Sequence, residues 1–126
     1  MRLWSSWALS RILGGHPLSI SPSTIGPNSF RETDLLEQLR AAAGVDSLLV
    51  CGAMSHMCVD ATVRAAFDLG FSCIVTHDAC ATRELTFNGV TVSAAHVHAS
   101  YMAALGAVYA QVKSVDEILE NMAATN

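Results

Sequence analysis

The residues best suited to catalysis lie in segment 50–64 (VCGAMSHMCVDATVR), where a cysteine stands between a strand-like and a helix-like run. The apolar run ends at Gly52, a turn of small residues follows, and Cys58 falls at or just before the first turn of the next predicted helix. Backbone N–H groups at a helix N-terminus stabilise an anion, which favours a thiolate and can hold the oxyanion of a tetrahedral intermediate. Cys58 is therefore a candidate nucleophile. The alternative is a cysteine that packs beneath the helix, as we expect for Cys51 on the strand.

Candidate bases for this thiol are few. His77 and Asp78 follow the next strand-like run, although an aspartate there is better suited to accept hydrogen bonds from loop amides. His56 stands two residues before Cys58, but neighbouring side chains in a turn commonly point apart. The pattern predicts no obvious Cys–His pair.

Spacings typical of metal ligands are missing from the sequence. His96 and His98 are two residues apart on a predicted helix, so they face different directions and do not form the i, i+4 pair of a zinc helix. The cysteines, at positions 51, 58, 73 and 80, form no C-x-x-C pair, and two of them lie in strand-like apolar runs. We predict no metal, no cofactor, and a cytoplasmic setting that keeps the thiols reduced.

Alternating elements position these residues. We predict helices over residues 33–43, 59–69 and 93–105 and a last helix from a Ser114…Glu117 capping box, with buried strands at 47–52, 71–76 and 107–112. Residues 77–91 are predicted as a loop. Strands that alternate with helices form a parallel sheet covered by helices, so we expect a three-layer αβα, Rossmann-like α/β fold. In such sheets ligands bind beyond the carboxyl ends of the strands, where Cys58 and Asp78 fall.

Composition restricts the class of protein. Of 126 residues, 52% are hydrophobic and 14% charged, which is typical of one globular domain, and no apolar run is long enough to span a membrane. The net charge of −4 provides no basic field for nucleic acid or an anionic membrane.

The first 26 residues differ from the rest. Residues 1–31 contain three arginines and no acid, many serines, and no sustained helix or strand period. We therefore divide the chain into an atypical leader, 1–26, and a domain, 27–126. An organelle transit peptide, an irregular or non-native leader and a shifted reading frame are the open interpretations of the leader.

Several motifs together resemble the second half of an isochorismatase-like cysteine hydrolase, the family that includes N-carbamoylsarcosine amidase and nicotinamidase. They are residues 27–35 (PNSFRETDL), 49–65 (LVCGAMSHMCVDATVRA) and 78–82 (DACAT), followed by the helix with His96 and His98. Their order and spacing fit that family over residues 27–112.

The resemblance implies a hydrolase of small-molecule amides in which Cys58 is the nucleophile and forms a covalent acyl-enzyme. It also implies a cis peptide before Met54, an oxyanion hole made by the Met54 and Cys58 amides, and substrate contacts by Phe30, Ala53 and Met57. Cysteine at position 58 favours C–N hydrolysis over vinyl ether cleavage. Members of the family generally form homo-oligomers, and the alanine-rich helix 93–105 is the expected interface.

The sequence also departs from the family pattern. The catalytic aspartate at the end of the first strand has no counterpart, because no acid precedes Glu32, and the catalytic lysine aligns with Thr24. The first strand and helix of the family are expected to be absent, which would leave the edge of a neighbouring strand unpaired. A thiol without a base and a neighbouring cation is a poorer nucleophile.

Two other functions therefore stay open. One is a catalytically silent relative that acts as a binding or oligomerisation module. The other is a thiol redox sensor that pairs Cys58 with Cys80, although Cys80 is better explained as a small packing residue.

Overall fold

A computed structural model describes residues 6–10, 18–20, 26–42 and 44–124, and after residue 34 they form both helices and strands. In chain order the elements are β1 (Ser6–Ser10), β2 (Leu18–Ile20), α1 (Leu35–Ala41), β3 (Ser47–Ala53), α2 (Asp60–Asp68), β4 (Ser72–Ala81), β5 (Leu85–Phe87), β6 (Val90–Val92), α3 (Ala94–Val108), β7 (Gln111–Lys113) and α4 (Val115–Ala124). A π-helical turn, Ser55–Val59, directly precedes α2. None of the helices in these described residues has the length and apolar character needed to cross a bilayer.

The main sheet places the candidate site. Within the described residues its strand order is β2-β1-β3-β4-β7, and β3, β4 and β7 run parallel. The predicted α/β class with a parallel sheet is confirmed. The carboxyl ends of β3 and β4 therefore lie at the same edge, where β3 passes into the π-helical turn.

The two N-terminal strands were not predicted. β1 runs antiparallel to β3, with Ser6 opposite Gly52 and Ser10 opposite Leu48, and β2 pairs antiparallel with β1. The edge of β3 is therefore paired with β1, and the expectation of an unpaired neighbouring edge is wrong. Residues 6–10 and 18–20 are extended strands rather than irregular. A strand edge pairs through its backbone N–H and C=O groups, which every residue except proline has. Side-chain hydrophobic periodicity therefore did not reveal this pairing. The domain boundary after residue 26 stays a prediction.

The hydrophobic core joins alternate residues of β3 and β4 to three helices. Its buried side chains include Leu48, Val50, Cys73 and Val75 from the strands and Leu35, Leu39, Val63, Ala66, Met102 and Leu105 from α1, α2 and α3. Leu49 and Ile74, between them in sequence, are only half-buried. The prediction that these strands are buried on both faces is therefore only partly right, because the main core covers one face.

Residues 77–91 differ from the predicted loop. β4 continues to Ala81, and β5 and β6 form a hairpin with Leu85 opposite Val92. At its tip Asn88 has φ 49° and Gly89 has φ 76°. An Asn-Gly pair with two positive φ angles is the preferred two-residue hairpin turn, so the sequence itself contains a signal for this hairpin. The helix predicted over 93–105 extends to Val108, which shortens the following strand to Gln111–Lys113.

Helix α4 begins with the predicted capping box. The Ser114 N–H donates to Glu117 Oε2 at 2.7 Å, and the Glu117 N–H donates to Ser114 Oγ at 3.1 Å. The Val115 N–H donates to both carboxylate oxygens of Asp78, at 3.0 and 3.1 Å. Asp78 thus accepts hydrogen bonds from an amide, as predicted, but the amide belongs to α4 rather than to its own loop.

We expect the start of α4 to become less stable in acid. The hydrogen bond from the Ser114 N–H lowers the pKa of Glu117 below its ordinary value of 4.5. A carboxyl group whose pKa is lower in the folded state stabilises it above the unfolded pKa, and this stabilisation is lost as the pH falls through the folded value. Hydrogen-exchange protection of the first α4 amides should therefore fall below pH 4.5, and Glu117→Gln should weaken that pH dependence. Glu120→Gln, on the same helix outside the capping box, is the control. A Glu117→Gln variant with the wild-type pH dependence would contradict this prediction.

Candidate active site

Cys58 lies in the turn that connects β3 to α2. The peptide bond between Ala53 and Met54 is cis, as the family resemblance implies. The Met54 carbonyl then accepts hydrogen bonds from the N–H groups of Met57 at 3.0 Å and Val59 at 3.3 Å. These bonds belong to the π-helical turn of residues 55–59, whose next residue begins α2. Cys58 therefore stands at the N-terminal end of a helix, where the helix dipole stabilises an anion.

The predicted site residues of this turn differ in exposure. Cys58 is 6% exposed and Met54 is 8% exposed, whereas the Met57 side chain is 42% exposed. Ala53, the last residue of β3, is half-buried. Met57 is thus the member of this group whose side chain is most open to a molecule in solvent.

Ser55 connects the turn to two other elements. Its side chain is fully buried, and its Oγ lies 2.8 Å from Nδ1 of His98 on α3 and 3.4 Å from the carbonyl oxygen of Ala81. Local sequence patterns did not predict this contact, because 43 residues separate Ser55 from His98. His96, in contrast, is exposed and its Nδ1 lies 3.1 Å from Oγ of Ser93, the N-cap residue of α3. The two histidines face different partners, as their spacing predicted.

His56 faces the end of β4. Its Nδ1 lies 2.6 Å from Oγ1 of Thr82, and its ring meets the ring of Tyr101 edge to face with centroids 6.1 Å apart. Burial and, to a lesser extent, the nearby charge of Arg83 lower the pKa of His56 below its ordinary value. The lowered pKa favours the neutral imidazole of His56, and one of its ring nitrogens is engaged by Thr82.

The segment 27–30 is fixed to α2 through Thr62. The Ser29 N–H donates to Thr62 Oγ1 at 3.1 Å, and Thr62 Oγ1 lies 3.3 Å from the carbonyl oxygen of Pro27. Phe30, a predicted substrate contact, stacks on Phe71 with ring centroids 6.3 Å apart and packs against the core. These contacts give Phe30 a structural role, and its contact with a substrate stays a prediction.

The other thiols are less suited to nucleophilic chemistry. Burial raises the pKa of Cys73 to about 11 and that of Cys80 to about 11, and it also raises the pKa of Cys51. Cys80 lies opposite Gly52 in the β3–β4 pairing and packs against the core. A thiol with a raised pKa is rarely ionised at neutral pH, which favours packing over a redox role for Cys80. Across the described residues, no group of three or more metal-ligating side chains is close enough to hold an ion.

Comparisons with known proteins identify a matching family and similar sequences. The Isochorismatase domain matches residues 23–112. The isochorismatase family protein YddQ of Bacillus subtilis (strain 168) is 52% identical over 94 residues, which are 75% of this chain and 52% of YddQ. A streptothricin hydrolase of Streptomyces noursei is 47% identical over 58 residues, 46% of this chain and 21% of that protein.

Two solved structures are similar to this chain in both sequence and fold. An isochorismatase from Pseudomonas putida KT2440 is 39% identical, with a TM-score of 0.72 over 75% of this chain and 48% of that one. A cysteine hydrolase from Pseudomonas syringae pv. phaseolicola 1448A is 25% identical, with a TM-score of 0.76 over 82% of this chain and 48% of that one. The chain thus spans about half the length of YddQ and of these two structures.

Proposed function

Since this chain belongs to the isochorismatase family of hydrolases, we propose that it cleaves a C–N bond of a small-molecule amide through a covalent intermediate on Cys58. The observation that carries the proposal is the position of Cys58, in a turn at the carboxyl end of a parallel strand and at the N-terminus of α2. Relatives named as a cysteine hydrolase and a streptothricin hydrolase support it.

The proposed reaction has two steps. The Cys58 sulfur attacks the amide carbonyl carbon, and the N–H groups of Met54 and Cys58 stabilise the resulting oxyanion. The C–N bond then breaks, the nitrogen leaves with the proton of the thiol, and an acyl thioester remains on Cys58. Water attacks that thioester, which releases the acid and restores the thiol.

The substrate contacts proposed for this reaction are apolar. Ala53 forms the cis peptide with Met54, and Met57 lies within the turn that follows and is exposed enough to contact a bound molecule. Phe30, in the 27–30 segment, is the third proposed substrate contact. The proposed setting is the reducing cytoplasm, where the four cysteines stay as the free thiols of the structure.

The proposal is tested by trapping the thioester. The 126-residue chain is mixed with a panel of small amides, quenched in acid within seconds, digested and analysed by mass spectrometry. We expect the peptide that contains Cys58 to gain the mass of the acyl group from at least one amide, together with release of the corresponding amine. An acyl group found only on other residues, or on none, would contradict the proposal.

A second candidate is a silent family member that acts as an oligomerisation module. It is favoured by an apolar groove of about 520 Å³ between the β5–β6 hairpin and α3, lined in part by Val97 and Tyr101. Phe87 and Val90 of the hairpin are 79% and 64% exposed, and such exposed apolar groups commonly mark interfaces. We propose that a second copy of this chain covers the groove, with α3 in the interface. No acyl adduct together with a dimer in sedimentation velocity would favour this function, and a monomer would exclude it.

A further inference from the structure

We propose that His98 is a positioning residue, which holds the turn bearing Cys58 in place through Ser55. The inference rests on the proposed function, because the position of this turn affects hydrolysis only if Cys58 is the nucleophile. It adds a residue from α3, a helix that the reaction itself does not use.

The contact joins three elements at one hydroxyl group. Ser55 is the first residue of the π-helical turn, and its buried Oγ lies 2.8 Å from His98 Nδ1 and 3.4 Å from the Ala81 carbonyl oxygen. His98 comes from α3 and Ala81 is the last residue of β4. The start of the turn is thereby attached to both neighbours of the site.

The number of protons determines how the contact works. A serine hydroxyl has one proton to donate, and a neutral imidazole has one N–H and one acceptor nitrogen. If His98 Nδ1–H donates to Ser55 Oγ, then the Ser55 proton is available for the Ala81 carbonyl and both bonds are satisfied. The opposite tautomer uses the Ser55 proton for His98 and leaves the Ala81 carbonyl without it. The arrangement that satisfies both contacts therefore has the proton of a neutral His98 ring on Nδ1.

Loss of the His98 contact has a direct consequence for Cys58. The Ser55 hydroxyl would keep only the long contact of 3.4 Å to Ala81, and a buried hydroxyl without a good partner is costly. The turn is expected to move, and with it the alignment of Cys58 with the N-terminus of α2. Because the thiolate depends on that alignment, its stabilisation decreases.

The experiment measures the alkylation of Cys58 by iodoacetamide against pH, in the full chain, with peptide mass spectrometry to separate Cys58 from the other thiols. His98→Phe keeps an aromatic ring without the hydrogen bond, and His98→Asn restores a polar group near the position of Nδ1. Ser55→Ala removes only the hydroxyl oxygen and carries the test if His98→Phe does not fold. His96→Phe, on the same helix but bonded to its own N-cap, is the matched control.

We expect His98→Phe and Ser55→Ala to lower the rate of Cys58 alkylation at pH 7 about tenfold. His98→Asn should recover to within about threefold of the wild type, and His96→Phe should match it. The ¹⁵N chemical shifts of the His98 ring should show a protonated Nδ1 in the wild type and lose their hydrogen-bond signature in Ser55→Ala.

Three results would overturn the inference. If the wild type has a low midpoint and both His98→Phe and Ser55→Ala share it, the proposed function survives and the positioning role is wrong. If His98→Asn is no better than His98→Phe, packing rather than the hydrogen bond explains the effect. If the wild-type midpoint equals that of the urea-unfolded chain, Cys58 is not activated, and the proposed function fails together with the inference.

Discussion

Replacing Cys58 with serine is expected to lower kcat/KM for amide hydrolysis at least about a thousandfold. The serine hydroxyl fits the same turn, but at neutral pH it keeps its proton and is a far weaker nucleophile than a thiolate. The N-terminal end of α2 can stabilise a thiolate but does not make an alkoxide accessible. The measurement is amine release from the best amide of the panel, with the purified variants at equal concentration.

The matched control is Cys51→Ser. Cys51 lies seven positions earlier on β3, and burial raises the pKa of its thiol, so it does not contribute a thiolate at neutral pH. We expect this variant to keep activity within about threefold of the wild type. Hydrolysis that persists in Cys58→Ser, or that disappears equally in Cys51→Ser, would contradict the assignment of the nucleophile.

Replacing Leu105 with alanine is expected to reduce the free energy of unfolding by about 2–5 kcal/mol. Leu105 is fully buried on α3, within the core that joins α1, α2 and α3 to β3 and β4. Truncation removes buried apolar surface and leaves a cavity that the packed neighbours fill only in part. Since α3 also carries His98, the same change should loosen the contact with Ser55. Urea denaturation followed by circular dichroism gives the free energy.

Leu119→Ala provides the comparison for this prediction. Leu119 is on α4 and is 56% exposed, so its truncation should change the free energy of unfolding by less than about 1 kcal/mol. Equal losses in the two variants would show that the described core does not dominate stability.

Local sequence patterns predicted the central part of the fold well. The run from Ser47 to Gly52, the periodicity of α2 and the capping box at Ser114 and Glu117 are all contained within a few residues. Each of these patterns determines its own backbone conformation, so the parallel β3–β4 pair and the placement of Cys58 before α2 followed from them. The family motif added the cis peptide before Met54.

The features that the sequence did not predict depend on contacts between distant residues. Nothing near Ser55 indicates that His98 lies beside it, and nothing near Thr82 indicates its hydrogen bond to His56. The pairing of Ser6–Ser10 with β3 likewise depends on an open strand edge rather than on a pattern in the first 26 residues. The hairpin at Asn88 is different, since its Asn-Gly signal was present in the sequence.

The most direct test of the central claim is the pH dependence of Cys58 alkylation by iodoacetamide, in the folded wild-type chain and in the same chain unfolded in urea. Cys58→Ser corrects for the other three thiols, of which Cys73 and Cys80 have pKa values raised by burial to about 11. An activated nucleophile predicts that the folded chain reaches half-maximal alkylation at a lower pH than the unfolded chain. A folded midpoint at or above the unfolded one would contradict the assignment of Cys58 and favour the silent oligomerisation module.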